Sequence, residues 1–195
     1  MIDYYELKII KSKDLTHTYC MREIKNENNK IILAVAQPDT KSIIFLKITS
    51  EYDINEIGSI NNIESVPNRK SIMTHFKNNL FIGCKNQIII IDLNIYKIKN
   101  KIYIDSMTYI TYINFYLNNK FLLIGLMKNK NTYNYQGYMS QNIFQINSNN
   151  EKANIITISI FKNRVHKGNI VDACINNDII ISIGTDNKIL LLYKE

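Results

Sequence analysis

Three histidines and three cysteines are the side chains of this 195-residue chain best suited to hold a metal or to pair a nucleophile with a base. Their spacing argues against both roles. His17 and Cys20 stand three residues apart and His166 precedes Cys174 by eight, but zinc takes three or four convergent ligands, usually delivered as close pairs, and no second close pair exists. His75 has neither an adjacent nucleophile nor a patterned acidic partner, and no Ser-His-Asp or Cys-His grouping follows from spacing alone. Asp172 and Asp178 flank an apolar run as solvated turn residues do, whereas acid–base chemistry needs a pocket that brings carboxylates together. Neither G-x-x-x-x-G-K nor G-x-G-x-x-G occurs, which removes phosphate binding through a glycine-rich loop. The chain is read as non-enzymatic, with no metal and no cofactor.

The elements that would position any site are strands. Short runs of Ile, Leu, Phe and Tyr alternate with clusters of Asn, Asp, Gly and Lys, the pattern of strands and tight turns, and no long amphipathic helix stands out. An apolar fraction of 46% over 195 residues suits a single domain with a real core. Ile and Asn are abundant against two Pro, six Gly and no Trp, a skew typical of A/T-rich coding that also inflates Lys. The net charge of +7 is for that reason only a weak pointer to a nucleic-acid or anionic-membrane partner. Met1–Ile10 carries Asp3 and Glu6 and lacks the basic start and unbroken apolar stretch of a secretory signal, and no window approaches the roughly 18 apolar residues of a membrane span. Cys20, Cys84 and Cys174, an odd number set far apart, are expected to be reduced and buried. These features predict an intracellular protein, cytoplasmic or nuclear, without membrane insertion.

Four segments begin with Asn and run through an apolar strand to a small residue: Asn29–Ala36, Asn79–Gly83, Asn119–Gly125 and Asn177–Gly184. They recur every 42 to 59 residues, close to the spacing of propeller blades with four strands each. The strongest internal match, free of gaps, sets Gly83-Cys84-Lys85-Asn86-Gln87-Ile88-Ile89-Ile90-Ile91 against Gly184-Thr185-Asp186-Asn187-Lys188-Ile189-Leu190-Leu191-Leu192. In each a small residue ends one strand, a polar turn with Asn reverses the chain, and four apolar residues start the next. Asn and Gly tolerate the positive φ of tight hairpins, and four consecutive apolar residues imply a strand buried on both faces.

The tail His166-Lys167-Gly168-Asn169-Ile170, followed by Ile180-Ile181-Ser182-Ile183-Gly184-Thr185-Asp186-Asn187-Lys188-Ile189-Leu190-Leu191-Leu192-Tyr193, resembles one repeat of the WD-repeat β-propeller family. In that family a His, a Ser or Thr, an Asp and a Trp form a structural hydrogen-bond network. The resemblance implies that His166, Ser182 and Asp186 fill three of these roles. Leu192 stands where the Trp would be, and Lys85 replaces the turn Asp in the earlier repeat.

The fold class expected is all-β: a propeller of about four four-stranded blades formed by residues 1–195 as a single domain. The last blade, His166–Glu195, has three strands, and Asp3–Ile10 would supply its fourth, pairing with Lys188–Tyr193 and tying the two ends together. The alternatives are an open or partial propeller completed by a partner, and a sandwich or other β architecture. An enzyme on this scaffold would need polar residues converging from the first strands of several blades, such as Arg22, Thr74 and Asp172.

Met127–Asn142 departs from the economy of the other turns and lengthens a hairpin in the third blade. Its Tyr133, Tyr135 and Tyr138, set among Lys128, Lys130 and several amides, suit protein recognition. The same mixture could stack on single-stranded nucleic acid, and a bias-expanded loop is the plain reading. Lys128, Lys130, Arg164 and Lys167 would form an RNA-binding face only if the fold gathered them. The function expected is a non-catalytic interaction scaffold, a subunit of a hetero-complex. An RNA- or ribonucleoprotein-associated factor is the alternative.

Overall fold

Ile88-Ile89-Ile90-Ile91 offers no polar face to water, and the strand it builds is buried on both sides. A computed structural model describes residues 12–15, 18, 20–27, 30–64, 72–103, 108–116, 121–129, 135–146, 153–160, 166–167, 170–176 and 179–193.

Four antiparallel sheets follow one another along the chain, and within each the strands lie side by side in sequence order. The first holds β1 (Cys20–Glu27), β2 (Lys30–Gln37), β3 (Ser42–Ile48) and β4 (Ile54–Ile60); the second holds β5 (Met73–Phe76), β6 (Asn79–Cys84), β7 (Gln87–Asp92) and β8 (Lys97–Tyr103). The third holds β9 (Thr108–Tyr116), β10 (Phe121–Asn129), β11 (Tyr135–Ile146) and β12 (Ala153–Ile160), and the last holds β13 (Ile170–Asn176), β14 (Ile179–Gly184) and β15 (Ile189–Tyr193). The architecture is all-β and propeller-like, with strand positions close to those expected.

The sheets stack face against face. Ala34, Ala36, Ile43 and Phe45 of the first sheet meet Leu80, Ile82, Ile89 and Ile91 of the second in one buried cluster. The opposite face of the second sheet, Phe81, Ile88 and Ile90, meets Ile110, Ile113 and Phe115 of β9 in another. Phe81 and Phe115 pack edge to face with ring centroids 4.9 Å apart, and Phe45 and Tyr96 join the first two sheets at 4.7 Å. Gly58 permits that approach, since a Cβ there would lie 3.0 Å from the Tyr96 ring. β13 then packs on β9 and β10, whereas no strand of the last sheet packs comparably on the first among the described residues. The stack is therefore open, as in a partial propeller, and the proposed closing strand Asp3–Ile10 lies outside the described residues.

One repeated device joins successive sheets. The β2–β3 turn residue Lys41 and the β6–β7 turn residue Lys85 both adopt positive φ, 52° and 50°. Their carbonyls accept the N–H of Ile63 (2.9 Å), between β4 and β5, and of Ile110 (2.7 Å), in β9 of the next sheet. The left-handed residue is thus Lys85, with Asn86 beside it in ordinary conformation. In each complete sheet the third strand also shifts register once against the fourth, at Phe45/Leu46, Ile90/Ile91 and Gln141/Asn142.

Three expectations are corrected. Gly125 does not end a strand: β10 continues to Asn129, and the glycine sits at a register shift against β9, the place where a missing side chain eases a bulge. Met127–Asn142 is accordingly mostly strand, with only residues 130–134 between β10 and β11. The ungapped match of Gly83 to Gly184 also slips by one. Cys84 pairs with Gln87 around two turn residues and Gly83 with Ile88, whereas Ile183 pairs with Ile189 around one more. Ile183 therefore takes the place of Gly83, while Ile189 and Leu191 still correspond to Ile88 and Ile90.

Ile90 is fully buried and Ile95 is 60% exposed. Truncating Ile90 to Ala should cost about 2–5 kcal/mol through lost burial and a residual cavity, against about 0.5 kcal/mol or less for Ile95→Ala. Urea unfolding of the two variants measures the difference.

Candidate functional site

At the start of the last sheet the buried His166 ring bridges two side chains. Its Nε2 lies 3.0 Å from Ser182 Oγ and its Nδ1 2.9 Å from Asp186 Oδ1, while the Lys167 backbone N–H donates to Asp186 Oδ2 at 2.9 Å. β14 fixes Ser182, and the β14–β15 turn, with Asn187 at φ 59°, swings Asp186 back over the ring. Gly184 leaves the space: a Cβ there would lie 2.3 Å from His166 Nδ1 and 2.6 Å from Asp186 Oδ1. Burial alone would raise the Asp186 carboxyl. The Lys167 N–H, together with the hydrogen bond and charge of His166, outweighs it and holds the carboxyl below its ordinary value. Leu192, at the position of the expected Trp, pairs in register with Ile180.

Ser, His and Asp here have the connectivity of a nucleophile–base–acid relay. Burial decides what that connectivity can do. Ser182 is 0% and His166 1% exposed, so in this conformation no substrate reaches the hydroxyl. What remains is a set of hydrogen bonds tying the entry to β13, the middle of β14 and the following turn into one unit.

A second polar group lies along the innermost strands β1, β5, β9 and β13. Thr74 Oγ1 donates to Asn114 Oδ1 at 3.0 Å, linking β5 to β9, and the Tyr112 hydroxyl donates to the Ala173 carbonyl, linking β9 to β13. Arg22 of β1 is half-buried and Asp172 of β13 exposed. Burial pushes the Tyr112 phenol up to about 12. Asp172 and Cys174 add to that rise, while the Asn114 hydrogen bond and the Arg22 charge oppose it. His75 on β5 is lowered by burial first and by Arg22 second, against Glu23, and its buried Nδ1 has no hydrogen-bond partner among the described residues. Arg22, Thr74 and Asp172 thus belong to one inner-strand neighbourhood. Sequence reasoning missed Tyr112 and Asn114, whose partners lie on other sheets and leave no local spacing signal.

Lys128 lies on β10 opposite Gln136, and Tyr135 and Tyr138 lie on β11 opposite Asn129 and Leu126; Lys130, Tyr133, Arg164 and His17 lie outside the described residues. Cys84 is buried and Cys20 half-buried, their thiols pushed up by burial to about 12 and about 11. Cys174 is exposed, a correction to the expectation of three buried thiols, because β13 turns it to the uncovered face of the last sheet. Among the described residues no group of three His, Cys, Asp or Glu side chains could hold a metal, and no helix is long and apolar enough to cross a membrane.

No protein-family model matches the chain, and no curated protein matches it. Solved structures do. A protein from Lactobacillus plantarum is similar over 92% of this chain and 51% of its own, with 10% identity and a TM-score of 0.59. A chain of the Mitotic Checkpoint Complex is similar over 84% of this chain and 46% of its own, with 12% identity and a TM-score of 0.58. The computationally designed Ika4 protein is similar over 93% of both chains, with 11% identity and a TM-score of 0.55. At these identities the likeness is one of fold. The chain spans about half the length of the first two.

Removing the Ser182 hydroxyl leaves the buried His166 Nε2 without its partner, so Ser182→Ala should cost about 1–3 kcal/mol, read as a lower urea midpoint at unchanged m-value. Tyr112 supplies a test at high pH. Its folded pKa of about 12 lies above the ordinary 10, so its contribution is complete below pH 10 and is lost as pH rises from 10 toward about 12. Tyr112→Phe should flatten that part of the stability profile, measured by thermal unfolding across alkaline buffers.

Proposed function

We propose that this chain is a non-catalytic protein-interaction module of WD-repeat type, an intracellular subunit of a larger hetero-complex. The observation that carries the reading is the β10–β11 hairpin, whose strands of nine and twelve residues are the longest pair among those described and set Lys128 opposite Gln136, Tyr135 opposite Asn129 and Tyr138 opposite Leu126. Tyrosine is a frequent anchor of protein interfaces.

Two further points support the reading. The Ser182–His166–Asp186 relay is sealed from substrate, as befits a structural network. The same fold also occurs within an assembly, the Mitotic Checkpoint Complex.

Affinity purification of the chain from its native cell, with the mass of the assembly measured, should yield a stable hetero-complex. Tyr135→Ala/Tyr138→Ala should weaken the association by about tenfold or more, with thermal unfolding unchanged. Unaltered affinity in that variant, or after deletion of Tyr133–Tyr138, removes the proposed site.

A further inference from the structure

The second sheet buries both faces, but the last one does not. Cross-strand pairing puts Ile183 opposite Ile189 and Ile181 opposite Leu191, so Ile179, Ile181, Ile183, Ile189 and Leu191 share one face of β14 and β15 by the period-2 rule. Ile183 is 43%, Ile189 65% and Leu191 69% exposed, while Ile88 and Ile90, which correspond to Ile189 and Leu191, are 0% exposed against the third sheet. The last sheet thus ends in the same aliphatic face that the second uses to receive its neighbour, and nothing among the described residues receives it. Contiguous apolar surface of this kind marks an interaction site.

We infer that this face binds the same face of a second copy of the chain, related by a two-fold axis. Three observations select that occupant. The packing is continuous with the inter-sheet packing inside the molecule, so the complementary shape is a twisted aliphatic sheet at about 10 Å. Among the described residues the register places one charged residue here, Asp172 opposite Ile183 at the β13 margin; two copies of a chain with net charge +7 can meet on this face without opposing lysines among them at its centre. The head-to-tail alternative lacks a free surface, because Val35, Ile44 and Leu46, on the outward face of the first sheet, are already buried, with Leu15 packed against them. A face-to-face pairing is closed and isologous, the commonest form of homo-oligomer. It leaves the β10–β11 hairpin unused and is independent of the hetero-complex proposed above.

Sedimentation velocity of the 195-residue chain over a dilution series tests this. With rising concentration the chain should move from a 22.8 kDa monomer to a species of twice that mass. Ile189→Lys/Leu191→Lys should weaken self-association by about thirtyfold or more, the effect of losing an interface hot spot, with thermal unfolding confirming that the variant folds. Cys174 is paired in register with Ile181 on this face and is exposed. A short thiol-specific crosslinker should join two wild-type copies through it and fail with Cys174→Ser, which decides the question even if the double variant does not fold. A chain that stays monomeric at every concentration, as it would if residues 1–11 or another protein occupied the face, overturns the inference. So does a dimer that the double variant leaves intact and that Cys174 does not crosslink.

Discussion

The structure rests on burying flat aliphatic sheets on both sides. A strand such as β7 has no polar face, so its sheet is stable only between two others, and each neighbour inherits the same requirement. Burial at roughly 25 cal/mol per Å2 of apolar surface rewards every added layer. The close contacts at Gly58, where Tyr96 crosses from the second sheet, and at Gly83, where a Cβ would come within 2.5 Å of Ile110, show how tightly the layers press. The left-handed lysines at 41 and 85 serve the same end by directing a carbonyl to the segment that begins the next layer.

Much of this was legible in the sequence, for a local reason. Alternation and short apolar runs report strands directly, and the four Asn-led apolar segments fall on the second strand of each sheet, β2, β6, β10 and β14. The repeat signal was less faithful where one residue type serves two purposes. Gly125 marks a bulge inside a strand, and Gly184 is small because His166 and Asp186 occupy the space a side chain would take. The turn after Gly184 is one residue longer than the turn after Gly83, and linear alignment cannot see such a change when the flanking residues remain alike.

The polar sites divide along the same line. His166, Ser182 and Asp186 were legible because all three lie within one repeat and match a family pattern. The contacts of Tyr112 with Ala173 and of Thr74 with Asn114 span 61 and 40 residues; they exist only because the inner strands of different sheets come together. Arg22, Thr74 and Asp172 were foreseeable as inner-strand positions, whereas their electrostatic link through Tyr112 depends on the stacking itself.

Strand pairing within each sheet follows sequence order, hairpin by hairpin, with no strand exchanged between sheets among those described. The long-range order of the molecule is therefore carried by side chains between layers, while backbone hydrogen bonds stay local. Such a chain behaves as a one-dimensional array in which a layer's resistance to opening depends on how many neighbours it has. The second sheet, clamped on both faces, is the natural nucleus. The last, held on one, is where cooperative unfolding would begin and where the addition of a further repeat would cost the existing structure least.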